Sequence, residues 1–445
     1  MKNAYIKETY EQVKNRNKNS PEFLQAVEEV LQSIEPLLDE YPEIIEHSIL
    51  EKIVEPERMI QFQIPWVDDT GKTQINRGFR VQFNSAIGPY KGGIRFHPSV
   101  TSSIISFLGF EQTFKNALTG LPMGGAKGGS DFNPKEKSDG EIKRFCQSFM
   151  TELYRHIGQF TDVPAGDIGV GNREIGYLFG QYKRITNQFT GTLTGKDVIS
   201  SGSFGRKQAT GYGLIYIVEE MLRQVRKDSI KGKTVVISGS GNVAIYAAQK
   251  AIELGAKVVT VSDSSGYIYD KAGINLEVLK QVKEVERGRL TEYQKRVPTS
   301  TYQEGSSNVW NIPCDIALPC ATQNEIDEAT AKILVKNGAF VIAEGSNMST
   351  TSSGVEIFLA NKVLYLPGKA ANAGGVAVSG LEMTQNSMRL QWSAREVDEK
   401  LLEIMKGIFE NIYTTSKKYH MEENFVAGAN IAGFLAVAKA MIWQG

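Results

Sequence analysis

Leu24, Val27, Val30, Leu31 and Ile34 recur at the three- and four-residue spacing of one helix face, and Ser20 with Pro21 supplies a cap and a preset first residue. An amphipathic helix is predicted there. The period then changes to two: Ile60, Phe62 and Ile64 alternate with Gln61 and Gln63, "VDDTGKTQ" turns the chain, and Phe79, Val81 and Phe83 alternate with Arg80, Gln82 and Asn84. That is a strand, turn, strand pattern. After "NSAIGPYKGGIRF", which reads as a loop, a helix is predicted from about Thr101 to a stop before Gly120. Its stripe opens with Ile105 and Leu108 but continues with Gln112 and Lys115, so two polar side chains stand on an apolar face. Ser138 and Glu141 have capping-box spacing before a helix that reaches His156, and "DVPAGDIGVGNREIG" reads as a glycine-rich loop with Asn172 as a cap.

The second half of the chain changes in kind. Thr234 to Ser238 is a β-branched strand, Val243 to Leu254 a helix ended by Gly255, and Lys257 to Asp263 a second strand, which together make a βαβ unit. Three later apolar runs, "CDIALPCA", "AFVIAEGSN" and "VLYLPGKAANAGG", each end in small and polar residues, as parallel strands do at a ligand crevice. Helical patterning fills most of the remainder. The apolar segment Ile431 to Trp443 carries Lys439 and is shorter than the ~20 residues of a bilayer span, so a buried helix is expected.

Composition narrows the field. At 445 residues the chain exceeds one ordinary core, which makes two large domains the expectation. Lys plus Arg is 50 and Asp plus Glu is 50, so no global field gathers nucleic acid or an anionic membrane. The amino terminus has no apolar run of signal-peptide type, and Cys146, Cys314 and Cys320 form no C-x-x-C pair. A cytoplasmic location is therefore expected. His47, His97, His156 and His420 lack metal-ligand spacing, and no metal site is expected.

"GSGNVA", Gly239 to Ala244, follows a strand and opens a helix, and Asp263 stands after the next strand. Gly239, Ser240 and Gly241 give the tight turn and the close approach that a pyrophosphate needs at a helix start, with Asn242 and Val243 beginning that helix. Dinucleotide binding outweighs a plain strand-to-helix turn in this context. "LPMGGAKGGS" surrounds Lys127 with glycines, but it lacks the G-K-[ST] ending of a phosphate-binding loop. Taken alone, it reads equally as a flexible turn with a solvated lysine. Lys91 in "GPYKGG" and Lys115 on the helix face change that balance, because three neighbouring cations depress one another's pKa values and attract a dianion. A lysine so placed can act as a base near neutral pH. Asp167 in "PAGDIGVG" is either an Asx-type turn residue or a second proton carrier.

The stretches "GPYKGGIRF", "GFEQTFKNALTGLPMGGAKGGSDF", "DVPAGDIGVGNREIGYLFGQY", "ATGYG", "DIALPCATQNEI", "AEGSNM" and "GKAANAGGVAVSGLEMTQN" span nearly the whole chain and resemble the glutamate dehydrogenase family. The likeness is to its short, hexameric, NADP-preferring kind, within the wider glutamate, leucine, phenylalanine and valine dehydrogenases. It implies an α/β fold in which a Rossmann dinucleotide-binding domain, about 200–372, is separated by a cleft from a substrate and oligomerisation domain. That second domain is about 1–199, joined by a terminal helix at about 422–445, with 373–421 as a helical hinge. The resemblance further implies reversible oxidative deamination of L-glutamate to 2-oxoglutarate and ammonium in a homohexamer, with Lys127 activating water and Asp167 shuttling protons to the nitrogen. By the same likeness Gln112 and Lys115 hold the α-carboxylate, and Lys91 and Ser379 hold the side-chain carboxylate beside Val376. Thr210, Asn242, Val243, Ala321, Asn347 and Asn372 fall near the cofactor.

Cofactor choice is divided. Asp263 favours the free ribose hydroxyl of NAD, whereas "SDSSG", with Ser264 and a later lysine, Lys283, resembles NADP-preferring members. NADP is the favoured reading and NAD the alternative. The family often has a bulkier residue at Ser240, and commonly alanine and proline within the stretch that here reads "EGSNMST". A branched-chain or aromatic amino acid dehydrogenase shares the lysine loop but has an apolar residue at the place of Lys91. A nucleotide sensor without chemistry would not need Lys127 and Asp167.

Overall fold

A computed structural model describes residues 1–445, which divide into two units. The first comprises Met1–Phe204, Val378–Val397 and Asn430–Gly445, and the second Gly205–Ala377 and Asp398–Ala429. The stretch expected as one hinge, 373–421, is thus shared, with 378–397 in the first unit and the rest in the second. The terminal helix runs Phe425–Gln444 and contributes only its later part to the first unit.

The first unit is built on a mixed sheet of β1 (Arg58–Val67), β2 (Thr73–Asn84), β3 (Tyr90–Phe96), β4 (Gly125–Ser130) and β5 (Asp162–Gly166), in the order β1-β2-β4-β3-β5. The β1 and β2 strands pair antiparallel around the turn at Gly71, while β3 lies parallel to both β4 and β5. Three segments that read as loops therefore contain strands: "GPYKGGIRF" holds β3, "LPMGGAKGGS" holds β4 and "DVPAG" is β5. The physical reason is crowding. A Cβ on Gly92 of β3 would stand 1.6 Å from the carbonyl oxygen of Ala126 on β4, and one on Gly125 would stand 2.0 Å from Thr113 Oγ1 on the helix Ser102–Leu118. These glycines make room for neighbours rather than for bending.

The polar members of the β2 alternation are buried as well. Arg80 is fully enclosed and forms a two-pronged ion pair with Asp162, Nε lying 2.9 Å from Oδ2, while its Nη1 donates to the Gly92 carbonyl at 3.1 Å. The helix Ser102–Leu118 starts at its Thr101 cap as expected. Its enclosed side is formed by Ile105, Phe110, Thr113 and Phe114, whereas Leu108, Gln112 and Lys115 are only half-buried. Aromatic packing fills this unit, with Phe132 stacked on Phe145 at 3.8 Å and Phe96 edge-on to Phe145 at 5.0 Å.

The second unit holds β6 (Thr234–Ile237), β7 (Lys257–Val258), β8 (Thr260–Ser262), β9 (Gly266–Tyr269), β10 (Thr301–Glu304), β11 (Ile316–Leu318), β12 (Val341–Ala343) and β13 (Leu364–Leu366). A parallel sheet runs β13-β12-β11-β6-β7. From β6 the chain builds outward to β7, then crosses to β11 and builds the opposite way, a doubly wound Rossmann-like arrangement with its switch point between β6 and β11. The second strand of the βαβ unit is broken at Val259. Past that point Thr260 Oγ1 accepts from Ile237 N at 3.0 Å and donates to Ile237 O at 3.1 Å, replacing a backbone ladder, and β8 joins a separate antiparallel sheet with β9 and β10.

Candidate functional site

Lys127 lies in β4, opposite Val81 of β2, and Asp167 is the first residue past β5. Lys127 Nζ stands 3.2 Å from Asp167 Oδ2, and the same oxygen accepts from Arg95 Nε of β3 at 2.8 Å. Adjacent strands therefore deliver one carboxylate and two cations to a single point. Burial pushes the Lys127 ammonium toward its neutral form, and Arg95 and Arg80 add to that, against the pull of Asp167. Two of the depressing cations are thus arginines, Arg95 and Arg80. Burial alone would raise the Asp167 carboxyl, but Lys127 and Arg95 together outweigh it and hold it well below the usual carboxylate range. Arg95 was missed in the sequence reading. Its only signal was an arginine on the strand that also carries Lys91.

Lys91 is enclosed in β3, and its Nζ donates to Thr194 Oγ1 at 2.8 Å. Gln112 Nε2 donates to Asn116 Oδ1 at 2.7 Å, and Asn116 Nδ2 donates to the Lys91 carbonyl at 2.9 Å and to the Gly124 carbonyl. Asn116 thus fastens the end of the helix to β3 and to the segment entering β4, with Lys115 half-buried beside it. On the helix Gly374–Met388, Ser379 is buried and Val376, one turn earlier, is half-buried. Asn172 proves to be the first helical residue rather than the cap. Gly171 takes the cap position, and its N–H is accepted by Glu174 Oε2 at 2.8 Å.

The cofactor candidates gather at the carboxyl ends of the parallel strands. Gly239 follows β6 with φ +83°, a left-handed conformation suited to glycine, and a Cβ there would meet the Cys320 carbonyl oxygen at 2.9 Å. Buried Ser240 follows, then Gly241, which caps the helix Asn242–Glu253 without a side-chain hydrogen bond and has open space where a Cβ would stand. That cradle of free helix N–H groups fits a pyrophosphate. Cys320 Sγ and Val243 Cγ1 both close on the Cβ position of Gly345, so the ends of β6, β11 and β12 converge. Ala321 N donates to Glu325 Oε1 at 3.1 Å, and Asn372 Nδ2 donates to Asn347 Oδ1 at 2.9 Å. Thr210 stands in the first turn of the helix Ala209–Met221, its Oγ1 2.6 Å from the Cβ position of Gly375.

Asp263 is occupied by its own loop. Its Oδ1 accepts from Ser265 N at 2.9 Å and Gly266 N at 3.3 Å, and its Oδ2 accepts from Leu290 N at 3.1 Å. Lys283 turns its Nζ to the Gly288 carbonyl at 2.9 Å, and the cation on Ser264 is instead Arg289, whose Nη1 donates to Ser264 Oγ at 2.8 Å. Arg289 was the second residue missed in the sequence.

A profile of the "Glutamate/Leucine/Phenylalanine/Valine dehydrogenase" family matches residues 201–445, and one of the "Glu/Leu/Phe/Val dehydrogenase, dimerisation domain" matches residues 56–184. The chain is 56% identical over 447 residues to a protein named NADP-specific glutamate dehydrogenase in Helicobacter pylori strain J99, covering 99% of this chain and 100% of the relative. It is also 56% identical over 431 residues to a Bacteroides fragilis protein named NAD-specific glutamate dehydrogenase, covering 95% and 96%. The crystal structure of Plasmodium falciparum glutamate dehydrogenase superposes with a TM-score of 0.96 at 54% identity, covering 99% of this chain and 94% of that one. With both halves matched by their profiles and the full length shared with such relatives, this chain belongs to the glutamate/leucine/phenylalanine/valine dehydrogenase family.

Proposed function

We propose that this chain is a glutamate dehydrogenase, interconverting L-glutamate with 2-oxoglutarate and ammonium and preferring NADP. The observation that carries the reading is the buried Lys127 ammonium held 3.2 Å from Asp167, in the same unit as a second buried cation, Lys91. A desolvated lysine gives up its proton more readily than one in water, so Lys127 can take a proton from the water that attacks the substrate's Cα. Asp167 is ionised at rest, takes a proton from the nitrogen or returns one to it, and is neutral only while it carries that proton. Lys91 and Ser379 receive the side-chain carboxylate, and Gln112 and Lys115 receive the α-carboxylate. A substrate with an apolar side chain would leave Lys91 without that anion, which is the basis of selection against leucine or valine.

The nicotinamide cofactor supplies or accepts the hydride. The turn Gly239–Gly241 receives its pyrophosphate, and Ser264 with Arg289 offers a hydroxyl and a guanidinium to a 2′-phosphate. Asp263 spends its lone pairs on three backbone N–H groups, which lessens its repulsion of that phosphate. Relatives of equal identity bear both descriptions, which supports the second reading, an NAD-specific enzyme. Assembly as a homohexamer follows from the family resemblance, and the dimerisation-domain match supports self-association. Three buried free cysteines suit a reducing cytoplasm.

Absorbance at 340 nm, followed with 2-oxoglutarate and ammonium and with NADPH and NADH side by side, tests the reading. Oxidation of both cofactors with a higher kcat/KM for NADPH is expected. No oxidation of either would overturn the assignment, and a higher value with NADH would overturn the cofactor preference.

A further inference from the structure

A buried ion pair lies behind the substrate lysine, away from the reacting groups. Lys196 Nζ stands 2.8 Å from Glu382 Oε1 with both side chains enclosed, at 1% and 0% exposure. Glu382 Oε2 accepts from Gly195 N at 2.8 Å, and Lys196 Nζ donates also to Asn386 Oδ1 at 2.9 Å and to the Leu193 carbonyl. Such a pair is seldom more stabilising than apolar residues of the same size, so its retention calls for another account. Its two ends supply one. Thr194, next to Gly195, donates its N–H to the Pro164 carbonyl of β5 at 2.9 Å and receives Lys91 Nζ on its hydroxyl at 2.8 Å. At the other end Glu382 lies one helical turn beyond Ser379. A continuous path therefore joins Lys91 to Ser379 through Thr194, Gly195 and the Lys196–Glu382 pair, and each link is a hydrogen bond, a peptide or a single turn of helix.

We propose that Lys196 and Glu382 are positioning residues that fix the separation of Lys91 and Ser379 and thereby the selection of a dicarboxylate over an apolar amino acid. The proposal rests on the glutamate reading above. Their polar partners are protein groups: each other, Gly195 N, the Leu193 carbonyl and Asn386. Glu382 holds the 193–196 loop, the loop holds the Lys91 ammonium, and the same glutamate anchors the helix that presents Ser379.

The test is kcat/KM for glutamate and for norvaline, which has the same carbon chain without the second carboxylate, in the full-length parent and in three variants. A parent inactive on glutamate would defeat the underlying reading, whereas the variants address only the pair. In Glu382→Gln and in the double variant Lys196→Met with Glu382→Leu, the ratio of glutamate to norvaline should fall about tenfold or more, through a higher KM for glutamate. Thermal unfolding accompanies each measurement. Equal losses on both substrates, or an unchanged ratio in a folded variant, would overturn the proposal, because a purely structural role has no preference between substrates. If those variants fail to fold, Asn386→Ala, which removes one ligand of Lys196 without stranding the charge, should lower the ratio about threefold. An unchanged ratio there overturns the proposal as well.

Discussion

The two glycine-rich stretches of this chain look alike in sequence and differ in what they do. Around Lys127 the glycines of β4, and those of the neighbouring β3, lie inside strands, and several have no room for a methyl group: Gly92 of β3 faces the Ala126 carbonyl of β4 at 1.6 Å and Gly125 of β4 faces Thr113 at 2.0 Å. At the turn after β6, Gly239 needs a left-handed φ of +83°, while Gly241 has nothing within 4 Å. The first cluster uses glycine to bring protein against protein, which buries Lys127 and shifts it toward its neutral amine. The second uses glycine to leave space for a ligand. One is filled before substrate arrives and the other is open.

This contrast predicts where a methyl group destroys and where it merely obstructs. Gly92→Ala should have the largest effect, costing about 4 kcal/mol or more, since the clash is with backbone that cannot rotate away. Little soluble protein, or a thermal midpoint far below the parent's, is the expected observation, and parental stability would show that β3 and β4 separate easily. Next come Lys127→Ala and Asp167→Asn, each expected to lower kcat by ~10² to 10⁴ with cofactor binding intact, as measured in steady state and by NADPH fluorescence. Lys91→Leu follows, with a fall of about 10² in the glutamate-to-norvaline ratio of kcat/KM. Gly241→Ala should be milder, raising KM for NADPH about tenfold while leaving the unfolding midpoint near the parent's, because its methyl group meets ligand and not protein. A destabilised Gly241→Ala enzyme with normal KM would reverse the comparison.

The smallest effect is a displacement along the pH axis. Since burial lowers the pKa of Lys127, its free amine grows as pH rises through a value below the ordinary lysine range, and oxidative deamination should rise with it and level off early. Asp167 opposes that lowering, so the residual activity of Asp167→Asn should begin its rise at lower pH than the parent. A rise displaced to higher pH would contradict the electrostatics of the pair.

Much of this was legible in the residues. The Thr101 start of the helix, the Ser138 capping box and the strand-turn-helix at Gly239 are local, because each signal and its structural partner lie within a few positions. The β3, β4 and β5 strands were hidden because glycine weakens strand propensity, and the reason for tolerating it sits far along the chain, Thr113 for Gly125 and Ala126 for Gly92. Lys127 and Asp167 stood out through their surroundings, but Arg95, which shares the Asp167 carboxylate, becomes visible only when β3 is laid beside β5. Arg289 and Lys283 were equally available cations. The fold of the 281–290 segment decides between them, sending Lys283 to its own Gly288 carbonyl and Arg289 to Ser264.

The break at Val259 separates two tasks that many dinucleotide folds combine on one strand. Past it, Asp263 and Ser264 follow β8 of a small antiparallel sheet, which Thr260 ties to Ile237 and Ser262 ties to Gly239. If Ser264 and Arg289 meet the 2′-phosphate as proposed, a few substitutions on that sheet would revise the choice between the two nicotinamide cofactors without changing Lys127 or Asp167. Relatives equally close in sequence bear the two descriptions, NADP-specific and NAD-specific.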